Sequence, residues 1–259
     1  MTVKLALNKT LMSSTKKEND NFEIYEEEVK MSLDIKEGRD EEENKDIPKI
    51  DIEPEYVSNK ISLIFHPLMC DNSFKEKMQS LLNDHKKFRF TTRDGNCFYS
   101  SFLANYLQKE NLEEKKEYFT EINLKYKELT KLTSVDEFFD ALVFLFEFTK
   151  KEELNKASTF DFLSAITYLK ILIHYELLSN SSFYESFLEC SLTEFISSTV
   201  SPLYTDTENI HIQALANIAK VKINVYSVRT NNQGERNEFG EGGVVIDILN
   251  TPNHFEPIE

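Results

Sequence analysis

The chain has 259 residues, room for one domain or two small ones. Its 30 Lys+Arg against 45 Asp+Glu give a formal net charge of −15, which argues against nucleic acid as the main partner, because phosphate binding needs clustered cations. Hydrophobic residues at 40%, with 20 Phe and 11 Tyr, exclude a wholly disordered chain, and 6 Gly and 6 Pro exclude collagen-like or loop-dominated architectures.

The first fifty residues stand apart. From Glu18 to Asp46 there are 13 acidic and 4 basic residues, net −9, with few apolar ones. Such a stretch cannot bury enough surface to offset its ordering entropy, so residues 1–50 are expected to form an acidic disordered tail ahead of a folded domain at 51–259. The segment DNSFKEKMQSLLNDHKKF sets Phe74, Met78, Leu81 and Leu82 at helical spacing behind a capping Asn72 or Ser73. FRFTT, Phe88 to Thr92, alternates as a short strand. A sharp RDGNC turn follows, and CFYSSFLANYL reads as a helix through Phe98, Phe102, Leu103 and Tyr106.

Residues 113–200 hold several helical patterns, of which DEFFDALVFLFEF and STFDFLSAITYLKILIHYELL are the most apolar and form the expected core. NIHIQALANIAK is helical in pattern. VKINVYSV places Val221, Ile223 and Val225 on one face of a strand and Lys222 and Asn224 on the other. RTNNQGERNEFGEGG reads as a loop, VVIDIL as a strand and HFEPI as the last one. The expected class is α+β, a helical middle with a small sheet built mostly by the carboxyl-terminal third.

Three cysteines, Cys70, Cys97 and Cys190, are an odd count with no close pair. That suits neither a disulfide framework nor a C-x-x-C zinc site, so free thiols are expected and no metal or cofactor is implied. No run approaches the roughly 18 uninterrupted apolar residues of a membrane span, and Leu5 to Leu7 is too short for a signal-peptide core. The expected setting is a reduced intracellular one, the cytoplasm with the nucleus as a further location, with no membrane partner.

Cys97 lies after a Gly-containing turn at the start of an amphipathic helix. A helix amino terminus favours thiolate over thiol, and the N–H groups of the turn could receive an oxyanion. Taken alone, a cysteine is more often a small buried hydrophobe. Of five histidines, His174 and His211 sit among apolar neighbours and read as structural, while His66 and His85 lack an acidic partner at useful spacing. His254 follows a Pro-Asn turn and opens a strand with Glu256 two residues on, hence on the same face. Nucleophile, base and orienting acid follow the general logic of a catalytic triad, although spacing by itself leaves other arrangements open.

TTRDGNCFYSSF resembles the nucleophile motif of the ovarian-tumour (OTU) family of cysteine deubiquitinases, in particular its otubain branch. ENIHIQALANIAKVKINVYSV resembles the otubain helix that runs into a central strand, TPNHFEPI the terminal histidine strand, and DNSFKEKMQSLLNDHKKFRF the helix that leads into the core. The likeness spans about residues 50 to 259. It implies a papain-like OTU fold, a small mixed sheet flanked by a large helical subdomain. Cys97 matches the nucleophile and His254 the general base. Asp94 matches the aspartate of D-G-N-C, whose loop shapes the oxyanion hole; a turn-forming role before Gly95 is its plainer reading. Glu256 departs from the family, which usually carries Asp or Asn there, so its longer side chain must fold back; Asp247 and Asn250 are the alternative orienting groups. The implied activity is hydrolysis of the bond between the carboxyl-terminal glycine of ubiquitin and a lysine amine, in polyubiquitin chains or ubiquitinated proteins. The implied partners are ubiquitin, polyubiquitin chains and ubiquitin-conjugating enzymes. The competing expectation is a catalytically weak adaptor that binds ubiquitin or conjugating enzymes.

Overall fold

The computed structural model describes residues 55–131, 135–228 and 235–259; the acidic tail expected at 1–50 lies outside them. After a short strand β1 (Ile61–Ser62) come helix α1 (Lys75–Leu81), strand β2 (Lys87–Phe88), and helices α2 (Cys97–Lys109), α3 (Leu112–Thr130), α4 (Val135–Lys150) and α5 (Thr159–Ser179). Short helical turns, Ser181–Tyr184 and Leu192–Phe195, the latter running into a π-helical turn Ile196–Val200, lead to α6 (Asn209–Ala219) and strands β3 (Lys222–Ser227), β4 (Glu235–Phe239), β5 (Val245–Thr251) and β6 (His254–Pro257). The sheet order is β4-β3-β5-β6, with β3 and β5 parallel and the other pairs antiparallel. The expected α+β class, helical middle and carboxyl-terminal sheet are all present.

Each end of the sheet differs from the sequence reading in an instructive way. The expected loop after β3 contains β4. Its residues give no apolar alternation because it is an edge strand, and its charges pair across the ladder, Lys222 with Glu238 at 2.5 Å. Asn224, on the strand face opposite Val221, Ile223 and Val225, is buried as well, because helices cover one side of β3 while polar neighbours close the other. Its amide donates to Asp247 Oδ1 at 2.7 Å. At the opposite edge the residues that follow β6 pair with β2. Phe88 bridges Ile258, and the backbones of Lys87 and Glu259 exchange hydrogen bonds of 3.0 and 2.9 Å. The strand expected at FRFTT is thus the two residues Lys87–Phe88, plus a bridge from Thr91 to Val57.

The helical layer follows from its apolar faces. Helix α5 starts at a full capping box, with Ser158 accepting from the Asp161 amide and Asp161 accepting from the Ser158 amide. It is long and apolar enough to cross a membrane, with mean hydropathy 1.2, yet 83% of that stretch is buried against other elements, as in a core helix. Helices α4 and α6 pack on it. Phe98, Phe102, Phe119 and Phe162 lie wholly inside, and each such side chain contributes about 2 to 3 kcal/mol by leaving water. Helix α1 has Phe74 at its N-cap, not Asn72 or Ser73, with no side-chain capping bond; in the turn ahead of it Asp71 Oδ1 accepts from the Ser73 amide at 2.8 Å. Cys70, Cys97 and Cys190 are free thiols, the first and last exposed.

Candidate active site

Helix α2 is the element that carries Cys97, and it is buried along almost its whole length. Its far half is strapped to the sheet by the buried Asn105, whose amide donates to the Asp247 carbonyl at 2.7 Å and the Ile258 carbonyl at 3.2 Å. Eight helical residues from Cys97 to Asn105 rise about 12 Å, and four strand residues from His254 to Ile258 span about 13 Å. Fastening Asn105 at Ile258 therefore brings the start of α2 level with the start of β6. The contacts agree: Phe98 meets Phe255 edge-on at 5.6 Å between ring centres, and the Phe255 amide reaches the Cys97 sulfur. Cys97 and His254 line one cleft of about 920 Å³, together with Gly95, Phe183, Phe187 and Asn253.

Two turns aim these side chains. Before His254, Pro252 and the left-handed Asn253 (φ 57°) join Thr251 to His254 with the φ signature of a type II turn, a conformation that Asn tolerates. Before Cys97, Gly95 sits at φ 83° with its Cα against the backbone of Tyr204, where a Cβ would come within 2.5 Å of the Tyr204 carbonyl. Asp94 works inside the turn. Its Oδ1 accepts from the Asn96 amide at 2.9 Å, and its Oδ2 accepts from the Tyr56 hydroxyl at 2.5 Å. Asn96 in turn accepts the Tyr204 amide at 3.0 Å. The Asn96 N–H is therefore committed to Asp94.

Lys170, in the middle of apolar α5, holds the Tyr204 segment from behind. Its ammonium donates to the carbonyls of Val200 (3.1 Å) and Pro202 (2.9 Å), and burial pushes its pKa down to about 7. Gly95→Ala is accordingly expected to destabilise the fold by about 1 to 3 kcal/mol, since both the positive φ and the Tyr204 backbone oppose a Cβ. Urea unfolding measures this; an unchanged midpoint would mean that the turn is not clamped.

The electrostatics correct one expectation. The start of α2 was expected to favour thiolate, yet the Cys97 pKa is raised, because burial and then the Asp94 charge outweigh the amides of Phe255, Phe98 and Cys97 itself. The His254 pKa is lowered, first by burial and then by Arg93, against the opposing pull of Glu256 and Asp94. Both groups are thus neutral at rest. The Thr91 hydroxyl donates to the Phe255 carbonyl at 2.8 Å, so at 3.3 Å its oxygen accepts from His254 Nε2–H. The other ring nitrogen, Nδ1, is buried without a hydrogen-bond partner among the described residues.

Glu256 lies on the His254 face, as the strand period requires, with Oε1 3.8 Å from His254 Nε2, beyond hydrogen-bond reach. Its Oε2 is bound to His66 Nε2 at 2.7 Å. His66, passed over for lack of an acidic partner in sequence, has one 190 residues away. Asp247 pairs with Asn224 instead, and Asn250 lines the cleft. His174 and His211 are packed and structural, as expected, at 2.8 Å from the Tyr126 hydroxyl and against the ring of Phe195 respectively. Among the described residues no group of three or more His, Cys, Asp or Glu could hold a metal.

The fold itself is that of solved otubain structures. The structure of a ceOTUB1 ubiquitin aldehyde UBC13~Ub complex superposes at a TM-score of 0.62 with 15% identity, covering 79% of this chain and 93% of that one. The structure of h/ceOTUB1-ubiquitin aldehyde-UBCH5B~Ub gives 0.60 with 16% identity over 98% of each. The fold is thus that of the OTU class. More specifically, the family described as Peptidase C65 Otubain matches residues 50–256, and the chain belongs to it. Ubiquitin thioesterase OTUB1 of Homo sapiens and of Mus musculus is 30% identical over 207 residues, which cover 72% of this chain and 75% of theirs.

Proposed function

We propose that this protein is a cysteine isopeptidase that hydrolyses the bond between the carboxyl-terminal glycine of ubiquitin and a lysine amine, with Cys97 as nucleophile and His254 as general base. The observation that carries this reading is the meeting of a helix-start thiol and an unpartnered imidazole nitrogen in one cleft, in a chain of the otubain family. Because thiol and imidazole are both neutral at rest, His254 Nδ1 takes the Cys97 proton as the sulfur attacks the glycine carbonyl. The oxyanion is received by amides of the 94–97 turn other than that of Asn96. Asp94 shapes that turn, and Glu256 supports the imidazolium as it forms. The lysine amine leaves with the proton from His254, and the same imidazole then activates water against the thioester. The substrates are polyubiquitin chains or ubiquitinated proteins.

A second reading has two observations in its favour. Glu256 stands 3.8 Å from His254, and the similar solved structures are complexes that contain conjugating enzymes. On that reading the chain binds ubiquitin or a ubiquitin-loaded conjugating enzyme and turns over slowly. Incubation with isopeptide-linked diubiquitins, native protein beside Cys97→Ala, separates the two. Monoubiquitin released by the native protein alone supports the isopeptidase. Retention of diubiquitin by both proteins, with no cleavage of any linkage, supports the adaptor.

A further inference from the structure

We propose that His66 is a positioning residue of this site, one that fixes the orienting carboxylate; the inference rests on the isopeptidase reading and deepens it. His66 is buried in the turn between β1 and α1, with its ring edge-on to Phe88 at 4.8 Å. The Leu68 amide donates to its Nδ1 at 3.1 Å, which leaves Nδ1 without a proton and puts the hydrogen on Nε2. That Nε2–H donates to Glu256 Oε2 at 2.7 Å. Glu256 is 2% exposed, and its other oxygen faces His254. A carboxyl group so deeply buried needs a hydrogen-bond donor to satisfy its oxygens. A glutamate also has one more rotatable bond than an aspartate, so its carboxyl needs an anchor to stay aimed. His66 supplies both the donor and the anchor. The result is a chain of hydrogen bonds from the Leu68 amide through His66 to Glu256, whose other oxygen stands 3.8 Å from His254 Nε2. It explains how a glutamate can stand where the resemblance leads one to expect Asp or Asn.

The test is a mutant cycle. His66→Leu removes the donor at similar volume, while His66→Gln places an amide N–H near the position of Nε2. The first is expected to lower kcat on diubiquitin about 10- to 50-fold with KM within twofold. The second should recover to within about threefold of the native value. In a Glu256→Ala background, His66→Leu should cost less than twofold more, because nothing remains to be aimed. The rate of Cys97 alkylation by iodoacetamide, mapped by peptide mass, should follow the same pattern and needs no ubiquitin. If the native protein cleaves no diubiquitin, the isopeptidase reading fails while alkylation still tests the role of His66. A folded His66→Leu protein with native kcat and alkylation rates would overturn the proposal, as would an undiminished loss in the Glu256→Ala background. Should His66→Leu not fold, nitrogen-15 NMR of the native imidazoles decides: a proton on His66 Nε2 at pH 7.5 supports the proposal, and one on Nδ1 overturns it.

Discussion

Replacing His254 with alanine is expected to lower kcat for diubiquitin cleavage on the order of 10³-fold, with KM within about threefold of the native value. The size of the effect follows from the resting state of the pair. Burial holds the Cys97 thiol above its ordinary pKa and the His254 imidazole below its own, so no preformed ion pair supplies the nucleophile. On the proposed mechanism the proton leaves sulfur during the attack, and His254 Nδ1 in that cleft is buried without a hydrogen-bond partner among the described residues. With the imidazole gone, only the small ionised fraction of a buried thiol can react. The same neutral starting point sets the controls. His254→Ala should bind ubiquitin as the native protein does and should alkylate slowly at Cys97. A variant retaining more than a tenth of native kcat would show that another group takes the proton.

The second large effect concerns stability in acid. Burial drives the pKa of His174 down to about 4 and that of His211 down to about 3. In the folded protein both remain neutral well below pH 6, whereas in the unfolded chain each takes up a proton near its ordinary pKa of about 6.5. Between those limits the unfolded state binds more protons, so stability falls as pH falls, by at most about 1.4 kcal/mol per pH unit for each histidine. The two act on a shared interior. His174 is hydrogen-bonded to Tyr126, and His211 Nδ1 accepts the Glu208 amide at the start of α6. His85 and His254, also lowered by burial, pull in the same direction. The expected result is a loss of several kcal/mol between pH 7 and pH 4.5, seen as a falling urea midpoint. His174→Gln, which keeps an acceptor for Tyr126, should make that slope distinctly shallower. A urea midpoint that stays level over this range would contradict the burial of both imidazoles.

What the sequence made legible was whatever is local in the chain. The start of α2 at Cys97, the Pro-Asn turn ahead of His254 and the same-face placement of Glu256 are short-range consequences of turn chemistry and strand period, and the structure has all three. Apolar periodicity located α4 and α5 for the same reason. What stayed hidden depends on contacts between distant segments. Nothing near His66 announces a carboxylate 190 positions on, and nothing near Lys170 marks it as the clamp on Val200 and Pro202. Thr91 lay inside the quoted nucleophile segment, but its service to His254 depends on β6 returning beside it. Strand β4 was missed because an edge strand can stay polar on both faces, and the burial of Asn224 stayed hidden because alternation cannot reveal a sheet covered on two sides.

The central claim, that the cleft delivers a ubiquitin carboxyl terminus to one particular sulfur, is tested most directly by mapping a covalent adduct. Ubiquitin bearing a thiol-reactive group in place of its terminal carboxylate would be incubated with the native protein and the product digested for peptide mass analysis. Cys70 and Cys190 are exposed whereas Cys97 is buried, so accessibility alone favours the wrong thiols. The expected result is a single ubiquitin on Cys97, none on Cys70 or Cys190, and no adduct with Cys97→Ala. Modification spread over the two exposed cysteines, or an adduct that survives Cys97→Ala, would contradict it.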